Sequence, residues 1–187
     1  MIASKPVRLL SLAIVTLVVV AGVRGLVGGI GSSGDLFEGA GADSVAAAGK
    51  RSPGVVAYVL DGDTVEVTTP NGRVVRVRLL GISAPEVPHP GKPGECYGSP
   101  STRHLRQLLS VGTQVTLVSD STQDDVDTYG RWLRYVEVGG RDIGRAQIRS
   151  GAAAARDSSE PVSRHAAYVQ VEDQARERGA GMWTACR

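Results

Sequence analysis

A chain of 187 residues is long enough for one ordinary domain with additional segments, and a hydrophobic content of 42% suits a globular core. Aromatic residues make up only 4%, so the core must consist mainly of Val, Leu, Ile and Ala. Residues 1–51 hold five of the 21 Lys and Arg and three of the 19 Asp and Glu, so the region 52–187 is neutral. A neutral region does not bind nucleic acid through its overall charge, so any binding has to use a local positive site.

The first 24 residues have the pattern of a targeting segment. Lys5 and Arg8 precede an apolar run over residues 9–23, which Arg24 ends. The run is short for a membrane span, which needs about 20 residues, and no clean small-residue cleavage site follows closely. The pattern predicts either a cleaved signal peptide or an uncleaved membrane anchor, and in both cases an exported protein that is secreted or held at the cell surface. Residues 25–53 are rich in Gly, Ala and Ser, which predicts a flexible linker ahead of a domain at 54–187.

Hydrophobic periodicity predicts the elements of this domain in chain order. The predicted strands are residues 55–60, 63–69, 74–80, 113–118 and 132–138. Three helices are predicted. The first has Ser99 as its N-cap and Pro100 as its first helical residue and ends near Gly112, the second covers about 143–150, and the third about 161–178. Five strands with a helix between the third and the fourth predict an α+β, β-rich fold. It would be a five-stranded barrel of the oligonucleotide-binding (OB) type with about three packed helices, preceded by the N-terminal apolar helix and linker.

Four short motifs carry the chemistry of this chain. In order they are Asp61-Gly62-Asp63-Thr64, Arg76-Val77-Arg78-Leu79-Leu80-Gly81, Ala84-Pro85-Glu86 and Tyr129-Gly130-Arg131. Together they supply carboxylates for a hard cation, one carboxylate that could act on a water, and two arginines whose paired N–H groups match the oxygens of a phosphate. This equipment is suited to cutting a phosphodiester bond.

On these motifs, residues 54–184 resemble the staphylococcal nuclease-like (thermonuclease) family, whose members are OB-fold barrels that hydrolyse DNA and RNA with calcium. The resemblance implies that Arg78 and Arg131 are the two catalytic arginines and that Glu86 is the glutamate that accepts a proton from the attacking water or orients it. It also implies endo- and exonucleolytic cuts that leave 3′-phosphates. Considered singly, Arg78 would be an ordinary strand-face ion-pair residue, and Arg131 and Glu86 ordinary solvated charges.

The resemblance also implies a calcium site. Asp63 matches a direct ligand, Asp61 a supporting acid, Thr64 a neighbour of the cation, and Ala84 a ligand through its backbone carbonyl. A second aspartate ligand of the family is replaced by Ser83, which removes one negative charge. Because calcium affinity depends on ligand charge, we expect Ca²⁺ to bind more weakly than in the family generally, and activity to be reduced accordingly.

Further positions matter for substrate binding. The family has aromatic residues after Gly151 that line a base pocket, whereas this chain has Ala, Arg, Asp and Ser at 155–159. Tyr129 remains, either as a substrate-phosphate contact or as a residue of the barrel wall. Asp127 matches a family position beside the second arginine and is expected to brace it. The segment 119–130 has further acidic residues, Asp120, Asp124 and Asp125, but it lacks the EF-hand pattern, and most of it is interpreted as solvated.

The two cysteines, Cys96 and Cys186, are expected to form a disulfide in an exported protein, the alternative being two unrelated thiols. The three histidines are scattered along the chain, which argues against a zinc site. DNA or RNA is the expected substrate, the membrane is a partner if the first segment is not cleaved, and no obligate protein partner is indicated. Two other functions stay open: a catalytically weakened nucleic-acid-binding OB module, and an envelope interaction module that uses the barrel only as a scaffold.

Overall fold

The computed structural model describes residues 49–186. The predicted targeting segment and most of the predicted linker lie outside these residues. Within them, no helix is both long and apolar enough to cross a membrane.

The described residues form eight strands and four helices, numbered here in chain order. They are β1 Arg51–Val59, β2 Thr64–Thr68, β3 Val74–Leu79, β4 Ile82–Ser83, α1 Gly98–Leu108, β5 Gln114–Val118, β6 Trp132–Val138, β7 Arg141–Asp142, α2 Ile143–Arg149, β8 Ala154–Ala155, α3 His165–Glu177 and α4 Met182–Ala185.

Five of these strands close into a barrel. They follow the order β3-β2-β1-β5-β6, with antiparallel neighbours, and β7 extends the sheet beyond β6. Parallel pairing of β3 with β6 forms the closing seam, in which Arg78 is opposite Leu133. The two-residue strands β4 and β8 pair with each other outside the barrel. This architecture, with helices α1 to α3 packed on the barrel, confirms the predicted OB-type fold class.

The barrel interior is aliphatic, as the low aromatic content requires. On β2 and β3 the alternate residues Val65, Val67, Val75 and Val77 are buried, because successive side chains of a strand point to opposite faces. Helix α1 buries Leu105 against this core. Apolar burial of this kind supplies most of the driving force for folding and fixes the register of the strands that carry the site.

Several element boundaries differ from the predictions. Strand β1 begins at Arg51 rather than at residue 55, and its first residues pair with β5. Helix α1 begins at Gly98, and its N-cap is Tyr97 with φ 71° instead of Ser99. A Cβ at position 98 would stand 2.2 Å from the carbonyl oxygen of Glu86, so the glycine permits a close approach that sets where the helix starts.

Helix α3 begins at His165, later than predicted, because the preceding residues are used for tertiary contacts. The N–H of Ser163 donates to Asp120, and the guanidinium of Arg164 pairs with Glu137 and Asp142. The strands β4, β7 and β8 were not predicted, since two residues are too few to show a period.

A disulfide joins Cys96 and Cys186, as expected from the sequence. It connects the loop before α1 to the end of α4 across 90 residues of chain. The loop that carries Glu86 is therefore tied covalently to the C-terminal part of the domain.

Candidate active site

A cavity of about 230 Å³ opens where the barrel seam meets two loops. The turn after β3, the loop before β6 and the segment after β8 form its walls. Three arginines line it, namely Arg78, Arg131 and Arg156, together with Asp127 and Tyr129. The two arginines expected to be catalytic are therefore brought into one cleft, although 53 positions separate them in the sequence.

Arg78 is held at the seam by an ion pair. Its Nη1 lies 2.8 Å from Oδ2 of Asp63, and both side chains are about nine-tenths buried. Burial lowers the pKa of Arg78, the Asp63 carboxylate opposes this effect, and the nearby Arg131 and Arg156 strengthen it, so the pKa lies below its usual value. Three like charges at one cavity have the electrostatic character of an anion site.

The acidic loop between β1 and β2 places Asp63 beside this cavity. Backbone N–H groups and side chains surround its carboxylate: Oδ2 accepts from the N–H of Ala84 at 2.8 Å, and Oδ1 accepts from the hydroxyl of Thr64 at 3.1 Å. Oδ1 of Asp61 accepts from the N–H of Asp63 at 3.0 Å. Burial, with a smaller contribution from Asp61, raises the pKa of Asp63 to about 6 against the opposing effect of Arg78.

Gly62 is the reason that this loop can pack so closely. A Cβ on Gly62 would lie 2.0 Å from the hydroxyl oxygen of Ser101 and 2.5 Å from Cβ of Ala84. The glycine therefore lets the acidic loop contact both helix α1 and the residue whose N–H binds Asp63. Any larger residue would push the two aspartates away from the seam.

Arg131 is oriented by Asp127. Its Nε donates to Oδ2 of Asp127 at 2.7 Å, and its backbone N–H donates to Oδ1 at 2.9 Å. The N–H of Tyr129 also donates to Asp127 Oδ1, at 2.9 Å. Burial raises the pKa of Asp127, but these hydrogen bonds outweigh it and bring the pKa below its usual value. Asp127 thus braces the arginine in the way the resemblance implies.

Tyr129 is not part of the barrel wall. Its residue surface is 84% exposed at the cavity rim, and the guanidinium carbon of Arg131 lies 5.3 Å from the centre of its ring. The phenol group is therefore free of the core and accessible to a ligand in the cavity.

Glu86 has a different environment from the two arginines. It is not among the described residues that line the cavity, and its carboxylate is about half exposed, with Oε2 3.7 Å from Nε2 of His89. Its backbone N–H donates to Oε2 of Glu95 at 3.1 Å. Glu86 is linked to the site through the backbone, because the N–H of Ala84, two residues earlier, donates to Asp63.

The acidic loop between β1 and β2 and the neighbouring residue Ala84 offer oxygen donors of the type that calcium prefers. These are the carboxylates of Asp61 and Asp63, the hydroxyl of Thr64 and the backbone carbonyl of Ala84. The burial of Asp63 next to a second carboxylate also favours a cation. The set is nevertheless poor in charge: within residues 49–186 no group of three or more His, Cys, Asp or Glu gathers as a metal cluster, and Ser83 is exposed. Arg78 already partly neutralises Asp63, so a cation would compete with it.

Two residues of the site were not predicted as such. Arg156 reaches the cavity because β8 pairs with β4 and the N–H of Arg156 donates to the carbonyl of Gly81 at 2.9 Å. Gln147 of α2 is fully buried, and its Nε2 donates to the carbonyl of Gly62 at 2.7 Å. A buried glutamine on a short helix near an Asp-Gly-Asp turn has no local sequence signature that would identify this contact.

Comparison with known proteins agrees with this geometry. Residues 76–185, more than half of the chain, match the family model described as staphylococcal nuclease homologue. The chain is 31% identical over 126 residues to the SPbeta prophage-derived endonuclease YokF of Bacillus subtilis, an alignment that covers 67% of this chain and 42% of that protein. It is 30% identical over 115 residues to the endonuclease YncB of the same species, with 62% and 53% covered.

A third similar protein is the probable endonuclease LCL3 of Komagataella phaffii, which is 30% identical over 118 residues, covering 59% of this chain and 50% of that protein. The chain thus spans about half the length of these three relatives. The matched region contains β6, residues 76–79 of β3 and the cavity walls. The chain belongs to the staphylococcal nuclease homologue family.

Proposed function

We propose that the protein is an exported, calcium-dependent nuclease that hydrolyses phosphodiester bonds of DNA or RNA. The observation that carries this proposal is the cavity that holds Arg78 and Arg131 together next to the acidic loop of Asp61 and Asp63. A phosphodiester is an anion whose charge grows on its non-bridging oxygens during hydrolysis. Fixed guanidinium donors at this point each contribute about 10²–10³-fold in rate in comparable sites.

In this mechanism the phosphodiester lies in the cavity with its non-bridging oxygens towards Arg78 and Arg131. A water oxygen attacks phosphorus, Glu86 takes the proton of that water, and the bond from phosphorus to the 5′ oxygen breaks, which leaves a 3′-phosphate. The departing oxygen takes a proton from solvent. Asp127 keeps Arg131 in place through its two hydrogen bonds to that residue. A calcium ion bound at the acidic loop would supply Lewis-acid polarisation of the phosphate.

Export and calcium dependence rest on the sequence. The positive and apolar N-terminal pattern supports export, and the disulfide is of a kind that persists in oxidising compartments. The oxygen donors of the acidic loop support a hard cation, while Ser83 and the competing Arg78 support weak binding. The assignment of Glu86 rests on its place beside Ala84 and not on a contact with the arginines.

The test is degradation of single-stranded DNA and RNA by the full chain, with calcium, with a chelator, and with Glu86→Gln. We expect metal-dependent cleavage that falls by about 10²–10⁴-fold in this variant, the usual range for loss of a general base. The matched control is Glu177→Gln at an exposed position of α3, which we expect to leave the rate unchanged. Cleavage that persists at the same rate in the chelator would contradict calcium dependence.

A nucleic-acid-binding module without catalysis is the second candidate. It is favoured by the exposed carboxylate of Glu86, which lies outside the arginine cavity, and by Ser83 at the ligand position. Binding of an oligonucleotide without cleavage under any divalent metal would support this second function.

A further inference from the structure

A second and larger cavity, of about 520 Å³, opens on the other side of the first residues of β6. Its walls are the beginning of β1, the turn between β2 and β3, and residues 125–126. Along β6 the side chains alternate between the two cavities: Leu133 lines the active-site cavity, whereas Trp132 and Arg134 line the second one. We refer to the second one as the Trp132 cavity.

The Trp132 cavity combines an aromatic ring with aliphatic surface. Its apolar lining consists of Trp132, Pro53, Pro70 and Val126, the last of which is 44% exposed. The guanidinium carbon of Arg134 lies 5.1 Å from the centre of the indole ring, so a cation packs on the ring while the indole stays partly accessible. A flat, partly exposed aromatic in a concave site is a stacking platform for a nucleobase.

Charge around this platform is positive. Three basic side chains line the cavity, Lys50, Arg73 and Arg134, against one acidic side chain, Asp125. Asp125 is already engaged, because its Oδ1 lies 2.9 Å from Nη1 of Arg134. Lys50 and Arg73 are exposed, and within the described part of the chain neither side chain takes part in an ion pair. In a domain of neutral overall charge the Trp132 cavity is thus a second local positive site, in addition to the cavity lined by Arg78, Arg131 and Arg156.

We propose that the Trp132 cavity binds a nucleotide of a single-stranded nucleic acid, next to the nucleotide whose phosphate occupies the active-site cavity. The base stacks on Trp132, and its phosphates are attracted by Lys50 and Arg73. The two cavities are lined by consecutive residues, Arg131 and Trp132, and lie on opposite sides of the start of β6. A strand with one phosphate at Arg131 would therefore pass around this end of β6 to place a base in the second cavity. A paired base could not enter a concave site without leaving its stack, which makes single strands the preferred form.

This inference rests on the proposed nuclease function for the order of the two nucleotides. The ring of Trp132 would also replace the aromatic residues that the family has after Gly151. In this chain Ala, Arg, Asp and Ser stand there and offer no aromatic surface for a base. The base-stacking surface of this protein is thus on the opposite side of the loop that carries Tyr129.

Tryptophan fluorescence tests the stacking directly. The chain has two tryptophans, and Trp183 lies on α4 with the guanidinium of Arg176 packed on its ring, outside the Trp132 cavity. We would titrate the full chain with a single-stranded DNA of about ten nucleotides in the presence of a chelator, so that binding is observed without cleavage. We expect quenching in the wild type that is lost in Trp132→Leu. The affinity of both proteins is compared by the anisotropy of a dye-labelled copy of the same DNA, and we expect it to fall by about five- to 100-fold in this variant, which corresponds to one stacked base.

A second variant keeps the test valid if Trp132→Leu does not fold. Arg73→Gln changes an exposed side chain, and we expect it to weaken binding and to reduce the slope of log K against log salt by about 0.7, the value for one contact to a single-strand phosphate. Arg103→Gln, at an exposed position of α1, is the matched control and should change neither quantity. Circular dichroism spectra of all variants check folding.

The outcomes separate this inference from the proposed function. Cleavage by the wild type, together with unchanged affinity and slope in Trp132→Leu and Arg73→Gln, would overturn the role of the Trp132 cavity and keep the nuclease. Trp132-dependent quenching without any cleavage would overturn the nuclease and keep a single-strand binding site. Equal affinity for a duplex of the same length would overturn the preference for single strands.

Discussion

Asp120 links two walls of the cavity that is lined by Arg78 and Arg131, and its charged carboxylate is expected to contribute measurably to the free energy of unfolding. The carboxylate accepts hydrogen bonds from the hydroxyl of Tyr135 at 2.5 Å, from the N–H of Ser163 at 2.8 Å and from the N–H of Thr122 at 3.0 Å. It thereby connects the loop that leads to Arg131 with the chain ahead of α3. Burial raises the pKa of Asp120, but the hydrogen bonds outweigh this effect and lower the pKa to about 2 from 3.8.

The magnitude follows from this difference in pKa. A group whose pKa is lower in the folded state stabilises the fold above its unfolded pKa, and the stabilisation is lost as the pH falls through the folded pKa. For Asp120 the shift corresponds to about 2 kcal/mol, present above pH 4 and lost between about pH 4 and pH 2. Asp120→Asn keeps the shape of the side chain and removes the charge, so it should lower the free energy of unfolding by about this amount at pH 7.

Equilibrium unfolding in urea at pH 7 and near pH 2.5 measures the effect. We expect the wild type and Asp120→Asn to differ by about 2 kcal/mol at pH 7, and the difference to fall to about 1 kcal/mol or less near pH 2.5. Asp124→Asn, at an exposed position of the same loop, is the control and should match the wild type at both pH values. A difference between wild type and Asp120→Asn that does not change with pH would refute the assignment of the stabilisation to the charge.

Three further predictions concern the acidic loop and the disulfide. Gln147→Leu leaves the carbonyl of Gly62 without its buried donor, so we expect about 1–3 kcal/mol lower stability in urea and a weaker calcium titration, whereas Gln107→Leu on the exposed face of α1 should change neither. Ser83→Asp adds a carboxylate at the proposed metal site and should raise calcium affinity and cleavage rate; an unchanged rate would remove position 83 from the ligand set. Reduction of the disulfide, or Cys96→Ser, should lower stability by up to about 4–5 kcal/mol on the chain-entropy account, and an unchanged unfolding midpoint would show that the reduced tail remains docked.

The barrel strands could be predicted because the alternation of buried and exposed residues along a strand is a local sequence pattern. Valines at alternate positions of β2 and β3 mark one buried face, and residues 132–138 were predicted with the bounds that β6 has in the structure. The presence of Arg78 and Arg131 in one cavity could be expected only from the family resemblance, since nothing near either residue in the sequence indicates the other.

The remaining features depend on contacts between distant parts of the chain. Arg156 lines the cavity because β4 and β8 pair over two residues. Glu172 of α3 supports this pairing, since its carboxylate accepts a hydrogen bond from the N–H of Ala155 in β8. Trp132 was recognised only as the first residue of a strand, because the cavity that it lines is built from three separate segments. Glu86 lies in a loop with several prolines, whose path no periodicity describes.

If the proposed nuclease function holds, the parallel seam of the barrel makes the regain of cleavage a measure of when the barrel ring closes during folding. Strands β3 and β6 are far apart in the chain, so Arg78 and Arg131 become neighbours only when these two strands meet. A chain that has formed the meander of β1, β2 and β3 but has not closed the ring carries every residue of the cleft and would be inert. Because non-local strand pairing is slow, regain of cleavage during refolding should lag behind the early spectroscopic signals of the hairpins and report on the final closing event alone.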